Sequence, residues 1–405
     1  MHAAGEGNNR AMGRDDRGSV GIAGAVGLRS GGSSVVAGVV FGGPSPEHDV
    51  SILTGLQAVR ALEKVHLVSS CHALYWSKAG DWYEIPTTLE ARTFVGGVPR
   101  EARPIRLVTG TRGGFLMRRG RFAAKDEKLG VDVVVNCCHG GPGEDGTLQA
   151  ALDLAGVPYT GPTVAGGSLG MDKLAFGAMA AAAWLPMLPR VPLTDSGPAP
   201  GFPGPYIVKP RFGGSSIGIE VVADINTARA LLRTNKHLRQ GAVVEPYRED
   251  LFDLQVGVRA WPELELSAIE RPLRATAGTE ILGYKDKYVL DEGMAGAIRE
   301  LPALLSTELE GQIRHAATEV AYFCGLRGVA RVDFLSDGEA VYVNEINTIP
   351  GSLAKYLWVE PPVVFSQLLV DMIGEALAKP SVRFSVDGAD GSILGTAGSI
   401  KGKLD

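Results

Sequence analysis

A repeated order of elements in the first 160 residues constrains the fold most: an apolar run, a glycine-rich break and an amphipathic helix. Residues 34–41 form a continuous apolar stretch that ends at Gly42-Gly43-Pro44-Ser45-Pro46. Residues 51–64 then place Ile52, Leu53, Leu56, Val59 and Leu62 on one helical face. The order recurs as an apolar run at 131–136, a loop at 139–146 and a helical stretch at 147–154. Strand, glycine loop and helix in succession predict an α/β domain with a parallel sheet, whose ligands lie at the carboxyl ends of its strands.

From about residue 172 the pattern changes to α+β. A helix is followed by a strand at 206–209, a Gly/Ser loop and a second strand at 219–222. Strand-like runs from Glu245, a polar loop at 284–296, a long helix at 306–324 and paired strands at 329–335 and 339–347 complete it. The chain therefore divides into a disordered leader (1–33), an N-terminal α/β domain (34–171), a central lobe (172–244), a C-terminal lobe (245–379) and a flexible tail (380–405).

Composition narrows the class. A net charge of −5 with no long Lys/Arg run gives no electrostatic case for nucleic acid. Four cysteines in 405 residues do not make a disulfide framework. Cys137-Cys138-His139 has no second ligand pair at zinc spacing, so these cysteines read as packing residues of a buried strand. No apolar run approaches a membrane span. Val20 to Leu28, after Arg10, Arg14 and Arg17, has a faint signal-peptide shape, which its glycines and Asp15-Asp16 oppose.

Three constellations carry chemistry. In Gly213-Gly214-Ser215-Ser216-Ile217-Gly218, glycines let backbone N–H groups approach phosphate oxygens, the hydroxyls add donors, and Lys209 supplies a point charge. It is not a P-loop, since no Lys-Ser/Thr pair follows and no helix opens there. A tight hairpin is the plainer alternative.

The second is Arg331-Val332-Asp333 with Asn344-Glu345-Ile346-Asn347. Glu345 and Asn347, two apart on a strand, share a face, and their oxygens are hard ligands suited to Mg²⁺. Asp333 joins them only if the hairpin turn sets the right register. A two-residue Asp337-Gly338 turn would put it on the wrong face. A three-residue Ser336-Asp337-Gly338 loop, with Gly338 left-handed, opposes Asp333 to Val341 and brings Arg331, Asp333, Glu345 and Asn347 together; that loop is the expectation.

The third, Gly141-Pro142-Gly143-Glu144-Asp145-Gly146, formally matches the dinucleotide fingerprint of nicotinamide oxidoreductases. Glu144 and Asp145 would sit where a pyrophosphate needs N–H donors, so they read instead as facing a cation or the protein's own backbone. Glu47, in the first Gly/Pro loop, could grip a substrate ammonium, and an ordinary surface-loop acid is the plainer alternative. His48 carries no assigned role.

Taken in order, these residues resemble the D-alanine–D-alanine ligases of the ATP-grasp superfamily. The segments that carry the resemblance are 41–51 (Phe-Gly-Gly-Pro-Ser-Pro-Glu-His-Asp-Val-Ser), 139–147 (His-Gly-Gly-Pro-Gly-Glu-Asp-Gly-Thr), 156–161, Met171-Asp172-Lys173, 208–218, Lys287-Tyr288, 331–333 and 344–351 (Asn-Glu-Ile-Asn-Thr-Ile-Pro-Gly). The similarity spans about residues 35–375. It implies a pre-ATP-grasp domain followed by a two-lobed ATP-grasp fold, and an ATP-dependent ligase of small amino acids in cytoplasmic cell-wall precursor synthesis. A relative with a different acceptor is the alternative.

The resemblance also implies roles. Lys173, Lys209 and Lys287 would contact ATP, with Gly214, Ser215, Ser216 and Gly218 closing over its phosphates. Glu245 would begin the segment beside adenine, and Asp253 would meet the ribose. Asp333, Glu345 and Asn347 would hold a pair of Mg²⁺ ions, or Mn²⁺. Glu47, Ser215 and Tyr288 would form the hydrogen-bonded triad that places the first amino acid. Arg331 and the Gly351 N–H would stabilise the oxyanion. The family carries several more residues after Pro-Gly, including a serine for the acceptor's carboxylate; here Pro350-Gly351 runs directly into Ser352, so His139, Ser352 and Lys355 are the acceptor-site candidates. A homodimer is a family expectation.

Overall fold

The apolar run at 34–41 forms strand β1 (Val35–Gly42), and the helix after it is α1 (His48–Leu62). A Cβ at Gly55 would lie 2.3 Å from the Phe41 ring, so glycine is what lets α1 sit this close to β1. The computed structural model describes residues 34–119, 125–273, 299–379, 381, 385–398 and 400.

The N-terminal sheet has seven strands: β1, β2 (Val68–Trp76), β3 (Trp82–Ile85), β4 (Arg103–Val108), β5 (Gly114–Arg119), β6 (Lys125–Lys128) and β7 (Val133–Asn136), in the order β6-β5-β4-β3-β2-β1-β7. The expected parallel pairing holds for β2-β1-β7, while β3 to β6 add an antiparallel meander. The loop at 139–146 contains a single helical turn, α2 (Gly141–Glu144), before α3 (Thr147–Ala155). Leu148 and Leu152 of α3 pack with Val40, Leu74 and Val134 on one sheet face.

Helices α4 (Val164–Met171) and α5 (Lys173–Ala182) lead to the central lobe, and Asp172 caps α5 by accepting from Leu174 N and Ala175 N. That lobe is a four-stranded sheet, β10-β9-β11-β8, from β8 (Val191–Leu193), β9 (Tyr206–Pro210), β10 (Glu220–Val222) and β11 (Ala242–Pro246), covered by α6 (Ile225–Thr234).

The C-terminal lobe is a five-stranded antiparallel sheet, β14-β13-β12-β15-β16: β12 (Phe252–Arg259), β13 (Glu265–Pro272), β14 (Arg299–Glu300), β15 (Val329–Ser336) and β16 (Val341–Asn347). Its buried face packs on α7 (Thr307–Phe323), capped by Ser306, through Leu309, Ile313, Ala317 and Val320. Helix α8 (Phe365–Ala378) then crosses back: Leu368, Leu369, Met372 and Ile373 join one core with Val39 and Val133 of the N-terminal sheet and Val59 of α1. Within 380–405, read as a flexible tail, a short exposed helix α9 (Ser392–Thr396) is present. The leader 1–33 and the Lys287-Tyr288 pair lie outside the described residues.

Candidate active site

The four polar residues of the β15–β16 hairpin do share a face, but by a different route from the one expected. Ser336 pairs with Val341, so the loop has four residues, 337–340, not three. Side chains decide this. The Asp337 carboxylate accepts from Glu339 N and Ala340 N, and the Ser336 hydroxyl accepts from Gly338 N and donates to Ala340 O, closing the longer turn. Gly338 is left-handed as expected, at φ 100°. Regular pairing from that turn would oppose Asp333 to Asn344. A β-bulge at Asn344 inserts one extra residue, so Asp333 lies opposite Glu345 and Arg331 opposite Asn347. A polar row then crosses the sheet: Glu270 on β13, Gln255 on β12, Asp333 on β15 and Glu345 on β16.

The bulge is pinned from the central lobe. Arg190 Nη2 donates to Asn344 O at 2.9 Å, and Lys209 Nζ donates to Asn344 Oδ1 at 3.1 Å. Arg190 also donates to Glu245 Oε1 at 2.6 Å and to Lys173 O at 3.0 Å, while Lys209 Nζ reaches Glu245 Oε2 at 2.8 Å. Burial pushes the Glu245 carboxyl up, but Lys209 and Arg190 more than offset it and hold the group below the usual glutamate range. The Glu245 side chain is thus engaged by two cations.

Beside this network a cleft opens between the two lobes. It brings together Lys173, Lys209, Gly213, Gly214, Ser216 and Asp253, with Asp333, Glu345 and the apolar Leu188 and Leu335. Lys173 Nζ donates to Gly213 O at 2.6 Å and lies 3.4 Å from Glu345 Oε2. The Gly213–Gly218 loop takes left-handed backbone at Ser215 (φ 52°), Ser216 (φ 59°) and Gly218 (φ 77°), which turns successive residues of the loop over the cleft.

A smaller adjoining cleft is lined by Glu47, His139, Glu144, Ser215, Arg331 and Gly351, among others. The Ser215 hydroxyl donates to Glu47 Oε1. A Cβ at Gly140 would lie 2.4 Å from Glu47 Oε2, and one at Gly214 would lie 3.2 Å from it. Both glycines make room for that carboxylate. Arg331 is oriented by two bonds to Asp333 (Nε 2.6 Å, Nη2 2.8 Å) and one from Nη1 to the Tyr356 hydroxyl at 3.3 Å. Asn347 Nδ2 donates to Asp333 Oδ2 at 3.0 Å.

Glu144 faces the protein's own backbone, as the sequence suggested. Its carboxylate accepts from Gly140 N, Ile349 N and the Thr348 hydroxyl, at 2.9, 2.9 and 3.1 Å. Burial first, and Glu47 second, push it up to about 7 against the pull of those three donors. Burial likewise lowers His139 to about 4. Its Nδ1 is 2.7 Å from Ile349 O and its Nε2 is 2.7 Å from Thr54 Oγ1.

The segment after Gly351 is strained. Ser352, Leu353 and Ala354 are all left-handed (φ 50°, 49° and 51°), at about 1–2 kcal/mol for each non-glycine residue. Burial of Leu353 and Ala354 in the shared core contributes to holding them there. Neither Ser352 nor Lys355 lines the small cleft. Ser352 N donates to Thr54 Oγ1 at 3.0 Å, and Lys355 Nζ donates to Gln57 Oε1 at 2.9 Å with the Phe365 ring beneath it.

The structure therefore gathers Glu47, Ser215, Arg331, Gly351, Asp333, Glu345, Asn347, Lys173, Lys209 and His139. Sequence reasoning missed Arg190, Thr54, Gln255, Glu270 and Tyr356, which carry no motif. Cys137 and Cys138 are fully buried and pack in the apolar cores of the N-terminal domain. His48 is buried under the first loop, against Gly43 O and the Tyr75 hydroxyl.

Comparison with known proteins agrees with this arrangement. Residues 36–162 match the family "D-ala D-ala ligase N-terminus" and residues 200–374 match "D-ala D-ala ligase C-terminus". A D-alanine--D-alanine ligase of Bradyrhizobium sp. is 30% identical over 354 residues, covering 84% of this chain and 95% of that protein. One of Methylobacterium sp. is 33% identical, covering 84% and 91%. Among solved structures, the VanG D-Ala:D-Ser ligase of Enterococcus faecalis superposes with a TM-score of 0.67 at 25% identity, covering 85% of this chain and all of that one. The chain belongs to the D-alanine–D-alanine ligase family.

Proposed function

We propose that this protein is a D-alanine–D-alanine ligase. It spends ATP to turn one D-alanine carboxylate into an acyl phosphate, then joins that carbon to the amine of a second D-alanine and releases phosphate. The observation that carries this reading is the meeting of two clefts at Glu345: a cation-lined cleft with Lys173 and Lys209, and a smaller one with Glu47, Arg331 and Gly351.

The residues fit both expected groups. Asp333 and Glu345 are like charges directly opposite on one sheet face, an arrangement that costs stability unless cations lie close. Lys173 and Arg331 offset part of it, and a hard divalent cation with oxygen ligands suits the rest. The Asn347 amide can rotate to present its oxygen. A divalent ion held there would neutralise charge on the transferring phosphoryl group.

The chain's own residues supply the remainder. Lys173 and Lys209 neutralise phosphate charge, and the Gly213–Gly218 loop excludes water from the reactive acyl phosphate. Glu47, held by Ser215, grips the first substrate's ammonium. Arg331 and the Gly351 N–H meet the charge that develops on the acyl oxygen. Asp253 takes the ribose, Lys287 contacts ATP, and Tyr288 completes the triad with Glu47 and Ser215. Domain boundaries at 171/172 and 244/245, two Mg²⁺ ions, a homodimer and a cytoplasmic setting belong to the same proposal. Among the described residues, no helix is long and apolar enough to cross a membrane.

A second reading, an acceptor other than D-alanine, is favoured by the shortened turn after Gly351. Phosphate release from ATP and Mg²⁺ across paired D- and L-amino acids separates the two. D-alanine alone should support release with the dipeptide as product; release only with a second amino acid present would favour the other acceptor. Glu345→Gln should abolish turnover with the fold intact, and near-normal activity in that variant would remove the metal assignment.

A further inference from the structure

We propose that Thr54 and His139 are positioning residues that hold the strained turn at 352–354 and thereby aim the Gly351 N–H at the reacting carboxyl group. The inference rests on the reading of Gly351 as an oxyanion donor, and it goes beyond that reading in naming what sets the donor's direction.

The hydrogen-bond polarity has one solution. Ile349 O only accepts, so the His139 Nδ1 facing it at 2.7 Å carries the proton. His139 Nε2 is then an acceptor, and the Thr54 hydroxyl at 2.7 Å donates to it. The Thr54 oxygen in turn accepts from Ser352 N at 3.0 Å. Thr54 and His139 are 1% and 2% exposed, so no water competes for these bonds.

Both bonds fall on the run that contains Gly351. Ile349 N is bound by Glu144 and Ile349 O by His139; Pro350 has no N–H, and Pro350 O accepts from Leu353 N. Ser352 N is bound by Thr54. Among the described residues, Gly351 N is the backbone donor in 349–353 to which no protein acceptor is assigned, and Gly351 lines the small cleft with Arg331. Three successive left-handed residues would relax toward ordinary backbone once Ser352 N lost its acceptor, and the Gly351 amide would turn with them.

Thr54→Val keeps the shape and removes the hydroxyl; Thr54→Ser restores it. Thr54→Val should lower kcat about 10- to 100-fold, the range expected when a reacting group is misplaced by about an ångström, with the KM for ATP within about twofold. Thr54→Ser should recover most of that loss. Equal kcat in the Val variant and the parent would overturn the proposal. Should Thr54→Val not fold, long-range ¹⁵N correlation on the unsubstituted protein decides: His139 protonated on Nδ1 supports the relay, and protonation on Nε2 overturns it. A parent protein that forms no dipeptide would refute the proposed function instead, since the tautomer is read without turnover.

Discussion

Replacing Arg190 by Met tests whether the bulge and the cation-lined cleft depend on one buried guanidinium. The side chain is 4% exposed and its partner Glu245 is 2% exposed. Breaking a buried ion pair by removing one partner costs about 3–5 kcal/mol, because the other charge stays buried. Lys209 remains 2.8 Å from Glu245, which favours the lower end, but the carbonyls of Lys173 and Asn344 also lose their donor. We expect about 3–4 kcal/mol, measured as a shift of the urea midpoint at unchanged m.

The pH dependence follows from the same pair. In the parent, the depressed Glu245 carboxyl contributes stability that is present above about pH 4.5 and is lost as pH falls through its lowered pKa. Without Arg190 that carboxyl moves up, so the stability gap between parent and variant should be widest near neutrality and narrow in acid. Arg190→Met in a Glu245→Gln background should cost much less than in the parent. A loss under about 1 kcal/mol, or a gap that ignores pH, would refute the reasoning. The Mg²⁺ concentration needed for activity should also rise in the variant, since Asn344 loses one of its two anchors.

Glu144, pushed up to about 7 by burial and by Glu47, titrates in the fold above its ordinary value of 4.5. Its contribution to stability is complete below about pH 4.5 and lost as pH rises through 7, so parental stability should fall on the order of 3 kcal/mol over that range; urea midpoints against pH should show the slope flattened in Glu144→Gln. Gly338→Val should cost about 1 kcal/mol or more in thermal stability through its left-handed backbone alone, because a Cβ there meets nothing within 4 Å. Ser352 lies outside the small cleft here; if its hydroxyl turns to the acceptor's carboxylate, Ser352→Ala should raise the acceptor KM roughly 10- to 100-fold while ATP binding barely changes, and an unchanged KM would remove Ser352 from the acceptor site. Lys355→Met should leave that KM nearly unchanged, because Lys355 faces Gln57; the reverse pattern in steady-state kinetics would exchange the two roles.

Period-2 spacing makes Glu345 and Asn347 legible as one face, and strand–loop–helix order makes β1, α1, β7 and α3 legible. The route by which Asp333 reaches that face was not legible. It depends on the Asp337 and Ser336 side chains closing a longer turn and on anchors to Asn344 from Arg190 and Lys209, 154 and 135 residues away in sequence. Local pattern carries no information about such anchors. Thr54 is similarly hidden, since it reads as one more residue of a helix until Ser352 N is placed against it. The antiparallel meander β3 to β6 lacks long apolar runs and escapes periodicity for that reason.

The sheet of the N-terminal domain is completed from the far end of the chain. Helix α8 supplies apolar side chains to its core, and Thr54, His139 and Glu144 bond residues 348–352 across 204 to 298 positions of sequence. During synthesis, the first sheet would emerge from the ribosome with α1 covering part of one face and the part around β7 bare until α8 arrives. Long-range closure of this kind is slow, and an interval with exposed apolar surface invites association with other nascent chains. A ribosome-stalled fragment ending before α8 should therefore bind a hydrophobic dye and a chaperone, and should release both once the chain is extended past residue 378.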